Sequence, residues 1–496
     1  MKRLLIPLAA ASLSAAALAL PADAAPDWVT DNLAPKPADA YGVANFWLDA
    51  DGAALRKATQ YHWDAKDVSK LVATQSKDGS PDGKPGLTAP TGTTGKPARA
   101  QNVNLPKTIG KVFFLDHAGN YRWCSATSIQ SRHRNLVATA GHCVYETGKD
   151  VYDKWVFVPG YYQGKTPWGI YPGAYAFTAY DLDTYDDYDG DFAFVAVHNG
   201  FALSGQKQVT AKEFKAWAGD KWTKPRQISA EEYAKCVLNL GECWSEGEDK
   251  AADIVGPDHP DAVVEKTEVD EKTYQDAKTG RGQGFKFGEP VPEPVSKADW
   301  DAYKGLGKKG EDAYGNFTIT HFYTQKWIKP GTSRKYYEAQ YFIGMAKDMG
   351  RLGDVVGGQG FAWNQPRGQK VTVFGYPAAP HPDGDKPYTG VTPKWCSGKT
   401  GTKTYQVNTF RVEEHQVLKC SMTPGADGGP WLMKYDNGKR TGYVNGVTSM
   451  FHDQDGNDRV DFISSAYFDG EVADVYNKAN YAETKSIVGP NGELLN

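Results

Sequence analysis

Three short segments carry the side chains with chemistry to offer. In "NLVATAGHCVYE", His142 follows a strand-like run and a small-residue turn, with Cys143 beside it and Cys124 nineteen positions earlier in "WCSATSI". A disulfide between those cysteines would clamp two strands and fix the backbone beside the imidazole. A general base needs that fixity, because proton transfer requires hydrogen-bond reach. In "YDGDFAFVAV", Asp191 directly precedes an alternating strand and is placed to hold an imidazole by its second nitrogen. In "TPGADGGPW", residues 423–431, Gly425 lets the backbone turn its amide inward, and the amide of Asp427 joins it. Two inward amides form an oxyanion hole for a tetrahedral intermediate. The position that such a loop offers to a nucleophilic hydroxyl is occupied by Asp427.

That aspartate changes the chemistry. A carboxylate at neutral pH has no proton to give to a base, and it is a poor acyl acceptor. Beside His142 it is a fixed negative charge, which favours the imidazolium. One of its oxygens could also fill the oxyanion hole from within. Ser421 and Thr423 lie six and four positions upstream, and neither sits between the two glycine amides. The strand "NGVTSM", with Gly446, Val447, Thr448 and Ser449, is expected to pair with an extended ligand by strand addition.

These side chains need a scaffold, and the surrounding texture is all-β. "KVFFLD", "NLVATAGHC", "KWVFVPGYY" and "DFAFVAVH" are short, β-branched or aromatic, and separated by turn residues. The pattern resumes at "KVTVFGYPA", "TYQVNTF", "PWLMKYD" and "GYVNGVTSM". It closes with "DGEVADVYNKAN", where Val472, Val475 and Tyr476 share one helical face. Between the two β runs the chain is rich in Lys, Glu, Asp and Trp, and reads as a large helical or irregular insertion. Within it, "EPVPEPVSKADW" reads as an extended arm followed by a helix capped by Ser296.

Taken together, "TAGHC", "DFAFV", "LGDVVGGQGFAWN", "VTVFGYPAAP", "CSMTPGADGGPW" and "YFDGEVADVYNKA" resemble the chymotrypsin/trypsin family of serine proteases, closest to secreted actinobacterial trypsin-like proteins. The resemblance implies an all-β fold of two antiparallel six-stranded β-barrels with a C-terminal helix and the site between the barrels. It implies His142 as general base, Asp191 as its partner and Asp427 at the nucleophile position. A second register, with Gln340 or Tyr341 of "YYEAQYFIGMAKDMG" in the place of Asp191, matches the resemblance less well. The implied organisation is a signal peptide at 1–24, a pro-region and linker at 25–107 and a first barrel at 108–200. An insertion at 201–338, a second barrel with its closing helix at 339–480 and a tail at 481–496 follow. Within residues 25–107, "AKDVSKLVATQ" reads as a helix, and Gln75 to Lys107 as a flexible linker.

Composition narrows the function further. Lys2 and Arg3, an apolar run from Leu4 to Leu20 and Ala22-Asp23-Ala24 form a secretory signal, with cleavage expected after Ala24. The six cysteines, an even number in an exported chain, favour three disulfides. Cys124/Cys143, Cys236/Cys243 and Cys396/Cys420 are the simplest of the fifteen pairings. With 56 basic and 60 acidic residues there is no electrostatic case for nucleic acid or an anionic membrane. Neither the acidic loop from Asp181 to Asp189, read as solvated, nor "DQDGND" at 453–458, read as a turn, has the spacing of a calcium loop. No metal or cofactor is expected. Three functions remain open: a secreted protease homologue without peptidase activity that binds peptide or protein; an active hydrolase with a non-standard nucleophile; and an interaction protein whose insertion 201–338 carries the function. The oligomeric state is open.

Overall fold

Strand Ile109–Leu115 is buried along both faces, and its alternation shows what each face does. Val112 and Phe114 point into a core with Cys124, Ala126, Val137, Phe157, Ala193 and Val195. Phe113 points the other way, against Trp47 at 5.6 Å and Tyr161 at 5.4 Å between ring centroids. Two-residue periodicity sends alternate side chains to opposite faces, so a strand covered on both sides reads as a nearly continuous apolar run. Lys111 shares the outer face. Its Nζ lies 3.2 Å from the centre of the Trp123 ring, and burial pushes the amine well below its usual range.

The computed structural model describes residues 28–61, 70–73, 82–91, 105–217, 219–239, 241–247, 254–311, 317–329, 334–379, 381–382 and 388–495. The expected signal peptide, and all but residues 70–73 of the helix expected in "AKDVSKLVATQ", lie outside them. At that helix's end, Val72–Ala73 is instead a short strand. The chain divides into two units, 1–202 with 347–496, and 203–346.

In the first unit, six strands close a ring. Tyr171–Ala179 pairs with Ala193–Val197, then come Leu136–Thr139, Tyr121–Ile129, Ile109–Leu115 and Asp153–Pro159, which returns to Tyr171–Ala179. All these pairings are antiparallel. The second half of the unit is a half-barrel built from two sheets. One runs in the order 394–399, 370–375, 430–436, 441–447, 360–363, and the other 450–452, 462–465, 412–419, 405–407. Their facing side chains form one core, with Val371, Val373, Leu418, Met422, Trp431, Phe451 and Ile463. The fold is all-β, chymotrypsin-like, with a C-terminal helix.

That helix, Gly470–Ala479, starts at Asp469, whose carboxylate accepts from the amides of Glu471 and Val472. An N-cap of this type satisfies amides that have no intrahelical partner. Val472, Val475 and Tyr476 are buried. Tyr476 stacks on Phe361 at 4.2 Å and meets Phe194 edge-on at 5.7 Å, so one ring bridges the barrel and the half-barrel. The tail beyond it is also packed: Asn135 Nδ2 donates to the Ala482 carbonyl and to Thr484 Oγ1.

Residues before the barrel are built into it. Trp28–Asn32 pairs with Tyr171–Ala179, and Gly86–Thr88, within the expected flexible linker, pairs with Gly360–Trp363. Helix Pro37–Lys57, interrupted at Asp49–Gly52, buries Trp47 completely. Such a segment shows a weak apolar pattern in sequence because its few apolar residues serve a core formed elsewhere.

The second unit is more β than its sequence suggests. Val263–Val269, Val291–Val295 and Lys308–Glu311 pair with the long strand Phe317–Ile328. Lys221–Ile228 and Cys243–Glu246 pair with Lys335–Gly350. The expected helices are single short segments, Ala211–Ala216, Ala230–Leu238 and Lys297–Ala302. The last follows the extended arm Val291–Val295 and is capped by Ser296, as its sequence indicates. The strands were hidden because Lys, Glu and Thr fill their solvent faces, which dilutes the apolar alternation. The cysteines pair as Cys124–Cys143, Cys236–Cys243 and Cys396–Cys420.

Candidate functional site

His142 lies in a single helical turn, Gly141–Cys143, that directly follows the Leu136–Thr139 barrel strand. The Cys124–Cys143 disulfide anchors that turn to the neighbouring strand. Asp191 stands just before Ala193–Val197, the strand on the other side of Leu136–Thr139. The sheet therefore brings together two residues 49 positions apart. The His142 amide donates to Asp191 Oδ1 at 2.9 Å, and His142 Nδ1 to Asp191 Oδ2 at 2.8 Å. Ser449 Oγ donates to the same Oδ2 at 2.5 Å. Gln340 and Tyr341, the alternatives to Asp191, are instead paired with Lys224 and Thr223 in the sheet of the second unit.

Asp427 completes the group. Its Oδ1 is 3.4 Å from His142 Nε2, and its Oδ2 accepts from the Gly425 amide at 2.7 Å. The loop is held from the barrel by Ser125, whose amide donates to the Asp427 carbonyl and whose hydroxyl donates to the Gly425 carbonyl, both at 2.7 Å. Two glycines are required here. Gly425 has φ +101°, and a Cβ on it would lie 2.6 Å from the Tyr376 carbonyl oxygen. Gly428 has φ +73°, and a Cβ would lie 2.1 Å from Thr139 Oγ1. Both backbones occupy the left-handed region that side chains disfavour.

The charge state follows from this geometry. Burial opposes charge on His142, but Asp191 and then Asp427 outweigh it and raise the imidazole to about 10. Asp191 is likewise opposed by burial, and His142, Ser449 and the His142 amide together lower it. An imidazolium between two carboxylates carries a proton on each ring nitrogen. It has no lone pair with which to accept a proton. His142 and Asp427 are each only 3% exposed, and Asp191 is fully buried.

The segment expected to receive a ligand, residues 446–449, has several of its amides engaged within the protein. Gly446 lies inside Thr441–Val447, a strand paired on both sides. The Val447 amide donates to Ser465 Oγ, that of Thr448 to the Gly429 carbonyl and that of Ser449 to the Ser464 carbonyl. Strand addition needs free backbone groups, and these are engaged. The next strand, Met450–His452, lies at a sheet edge and, among the described residues, pairs only with Phe462–Ser465. Ser449 instead orients Asp191, a contact with no signature in the sequence because 258 positions separate the two.

The remaining hydroxyls near the loop are turned elsewhere. Thr423 Oγ1 donates to the Ala379 carbonyl at 2.6 Å, and Ser421 Oγ lies 3.4 Å from Tyr388 OH. Among the described residues, Cys124, His142 and Cys143 have metal-ligand spacing, but both sulfurs are in the disulfide. Asp453 accepts from the amides of Gly456, Asn457 and Asp458, which makes "DQDGND" a turn. The acidic loop is only partly solvated: Asp189 Oδ1 accepts from the Glu413 and Glu414 amides, tying the loop to strand Val412–Lys419. Burial, resisted by those two amides, pushes Asp189 up to about 7.

Behind the cleft lies a second buried group that the sequence did not signal. His415 Nε2 faces the Tyr188 carbonyl at 2.8 Å, so that nitrogen carries the proton. His415 Nδ1 then accepts from Ser464 Oγ at 3.0 Å, and His452 Nε2 donates to the same hydroxyl at 2.8 Å. Burial lowers His415 to about 4, and burial with the neighbouring His415 lowers His452 to about 3.

A closed barrel and a half-barrel thus carry a His–Asp pair that faces a glycine-rich loop. No protein-family model matches the chain, and no curated protein is significantly similar to it. Similar solved structures include the protease Anisep from Arthrobacter nicotinovorans, at 19% identity and a TM-score of 0.40, covering 77% of this chain and 99% of its own. A thermostable serine protease, AL20, from an extremophilic microorganism is 18% identical with a TM-score of 0.40, covering 76% and 98%. A Glu endopeptidase is 11% identical with a TM-score of 0.35, covering 78% and 96%. At these identities the likeness is one of fold.

Proposed function

We propose that this protein is a secreted trypsin-like protease homologue without peptidase activity, whose cleft binds an extended peptide or protein segment. The observation that carries the reading is the double engagement of Asp427, with one oxygen toward His142 and the other on the Gly425 amide. A productive site needs a hydroxyl that His142 can deprotonate and an oxyanion donor left for the substrate. Here a carboxylate takes both places. The three disulfides and the expected signal sequence support an extracellular location. The edge strand Met450–His452 offers backbone groups for an extended ligand.

The competing hydrolase reading needs another nucleophile, and Ser421 and Thr423 are poorly placed to supply one. A role for the insertion is favoured by one observation: the second unit has its own core, around Ile228, Tyr233, Val263, Ile328 and Tyr336, and its own disulfide. The deciding experiment is ester and amide hydrolysis by wild type, Asp427→Ser and Asp427→Ser/His142→Ala. Silence in wild type with His142-dependent activity in Asp427→Ser is the expected result. Activity in wild type would overturn the reading.

A further inference from the structure

The half-barrel sheet that begins with Lys394–Lys399 carries a groove on the face turned away from its core. Along that strand Trp395, Ser397 and Lys399 are exposed, and the residues between them are half-buried. Antiparallel pairing with Lys370–Gly375 sets Trp395 opposite Phe374, Ser397 opposite Thr372 and Lys399 opposite Lys370. Residues directly opposite share a face. This face therefore has an aromatic end, a hydroxyl middle and a basic end. Strand Pro430–Asp436 adds Leu432 opposite Thr372 and, two residues further on, the exposed Lys434. The same strands send Val371, Val373 and Trp431 the other way, into the core. The groove so formed has a volume of about 660 Å³, and its lining shares no residue with the His142 site.

Its lining points to a class of ligand. Phe374 is covered edge-on by Tyr435 at 5.2 Å, whereas its neighbour Trp395 is left 48% exposed. A bare indole face is negative and attracts the weakly positive C–H groups on the flat side of a sugar ring. Beside it, Thr372 Oγ1 donates to Ser397 Oγ at 3.3 Å, and Ser397 Oγ donates to the Val371 carbonyl at 3.0 Å. Both hydroxyl hydrogens are used within the protein, which leaves oxygen lone pairs to accept from the hydroxyls of a ligand.

The basic end is uncompensated. Lys370 and Lys399 stand directly opposite each other, and like charges so placed repel. Among the described residues, no carboxylate pairs with these two lysines or with Lys434, and none lines the groove. Asp436, close by in sequence, accepts from the Gly438 and Lys439 amides instead. Three cations gathered without an internal partner favour an anion from outside.

We propose that this groove binds an acidic saccharide, with a sugar ring against the Trp395 indole and its carboxylate or sulfate groups among Lys370, Lys399 and Lys434. The proposal does not depend on the reading of the His142 cleft. An acidic peptide would satisfy the lysines, but hydroxyl acceptors beside a bare indole suit a ring that carries hydroxyls.

The test is calorimetric titration of the full chain with a heparin hexasaccharide, a galacturonate hexamer and hexaglutamate, at low and high salt. Saccharide binding is expected, and the difference between the first two assigns sulfate or carboxylate as the favoured group. Trp395→Ala is expected to weaken it at least about tenfold, as loss of a central aromatic anchor does. Lys370→Gln/Lys399→Gln is expected to weaken it similarly and to reduce its dependence on salt. The substituted side chains are exposed, and circular dichroism confirms that the variants are folded. Absence of binding of both saccharides to the wild-type chain overturns the proposal. Hexaglutamate binding as tightly as the saccharides, or Trp395→Ala binding as wild type does, overturns it too, because charge alone would then account for the affinity.

Discussion

Asp427 accepts a hydrogen bond from the Gly425 amide, two residues away, through the oxygen that does not face His142. In the proposed reading this side chain occupies the place that a substrate oxyanion would take, and the Gly425 amide is satisfied without a ligand. Buried amides need a partner, so this contact stabilises the loop as well as blocking it.

Replacing Asp427 by serine should therefore reopen the site. Asp427→Ser is expected to hydrolyse an activated ester above the wild-type background, and adding His142→Ala should lower that rate toward the background, by up to about 10⁶-fold for a fully formed triad. A gain that survives loss of His142 would show that the imidazole is not the base.

The charge on His142 is open to direct measurement. Its imidazole titration, followed by NMR, is expected near 10 in wild type and lower in Asp427→Asn, which keeps the shape but removes one charge. A raised folded pKa contributes stability that is complete below the unfolded value of about 6.5 and is lost as pH rises toward 10. Wild type should accordingly lose more stability than Asp427→Asn between those limits. Equal losses would remove the imidazolium pair.

The buried His415–Ser464–His452 group has the opposite sign. Both folded pKa values are lowered, to about 4 and about 3, so the unfolded chain binds protons first as pH falls below about 6.5. Stability should decline from about pH 6.5 down to about 3. His452→Gln, which keeps a donor for Ser464, should flatten that decline in thermal unfolding. An unaltered profile would assign the acid sensitivity to other groups.

Asp189 gives a third pH signature. Its carboxyl is raised to about 7, so its contribution is complete below the ordinary aspartate range and is lost as pH rises through about 7. Asp189→Asn retains an oxygen for the Glu413 and Glu414 amides, and should stabilise the protein above pH 7 while changing little near pH 4. Destabilisation at both pH values would mean that the charge itself is needed.

Trp47 tests whether the chain before the barrel belongs to its core. The ring is fully buried, tilted against Phe113, and its Nε1 donates to the Lys154 carbonyl at 2.5 Å. Trp47→Ala should cost about 3–5 kcal/mol in chemical denaturation. A loss below about 1 kcal/mol would mean that the barrel folds independently of this helix.

Much of the site was legible because its parts are local. "TAGHC" follows a strand, "DGDFAFV" leads into one, and "GADGG" is rich in residues that permit left-handed backbone, so the sequence alone marked His142, Asp191, Asp427 and Gly425. Short β-branched and aromatic runs between turn residues likewise announced the barrel strands, since strands covered on both faces read as nearly continuous apolar segments. The long strand Phe317–Ile328 left a weaker trace, because only some of its inward positions are fully buried and polar residues fill the rest.

The tertiary structure decided what no local pattern encodes. The direction in which each Asp427 oxygen points depends on Ser125, some 300 residues earlier, and on the strand that carries it. Ser449 supports Asp191 because the sheet turns its hydroxyl toward a residue 258 positions away. Tyr61 is unremarkable in sequence, and its ring stacks on His142 because the pairing of Thr59–Gln60 with Arg122–Trp123 carries it there. Periodicity records which residues are buried, whereas a contact between distant segments is set by packing, and packing exists only in the folded chain.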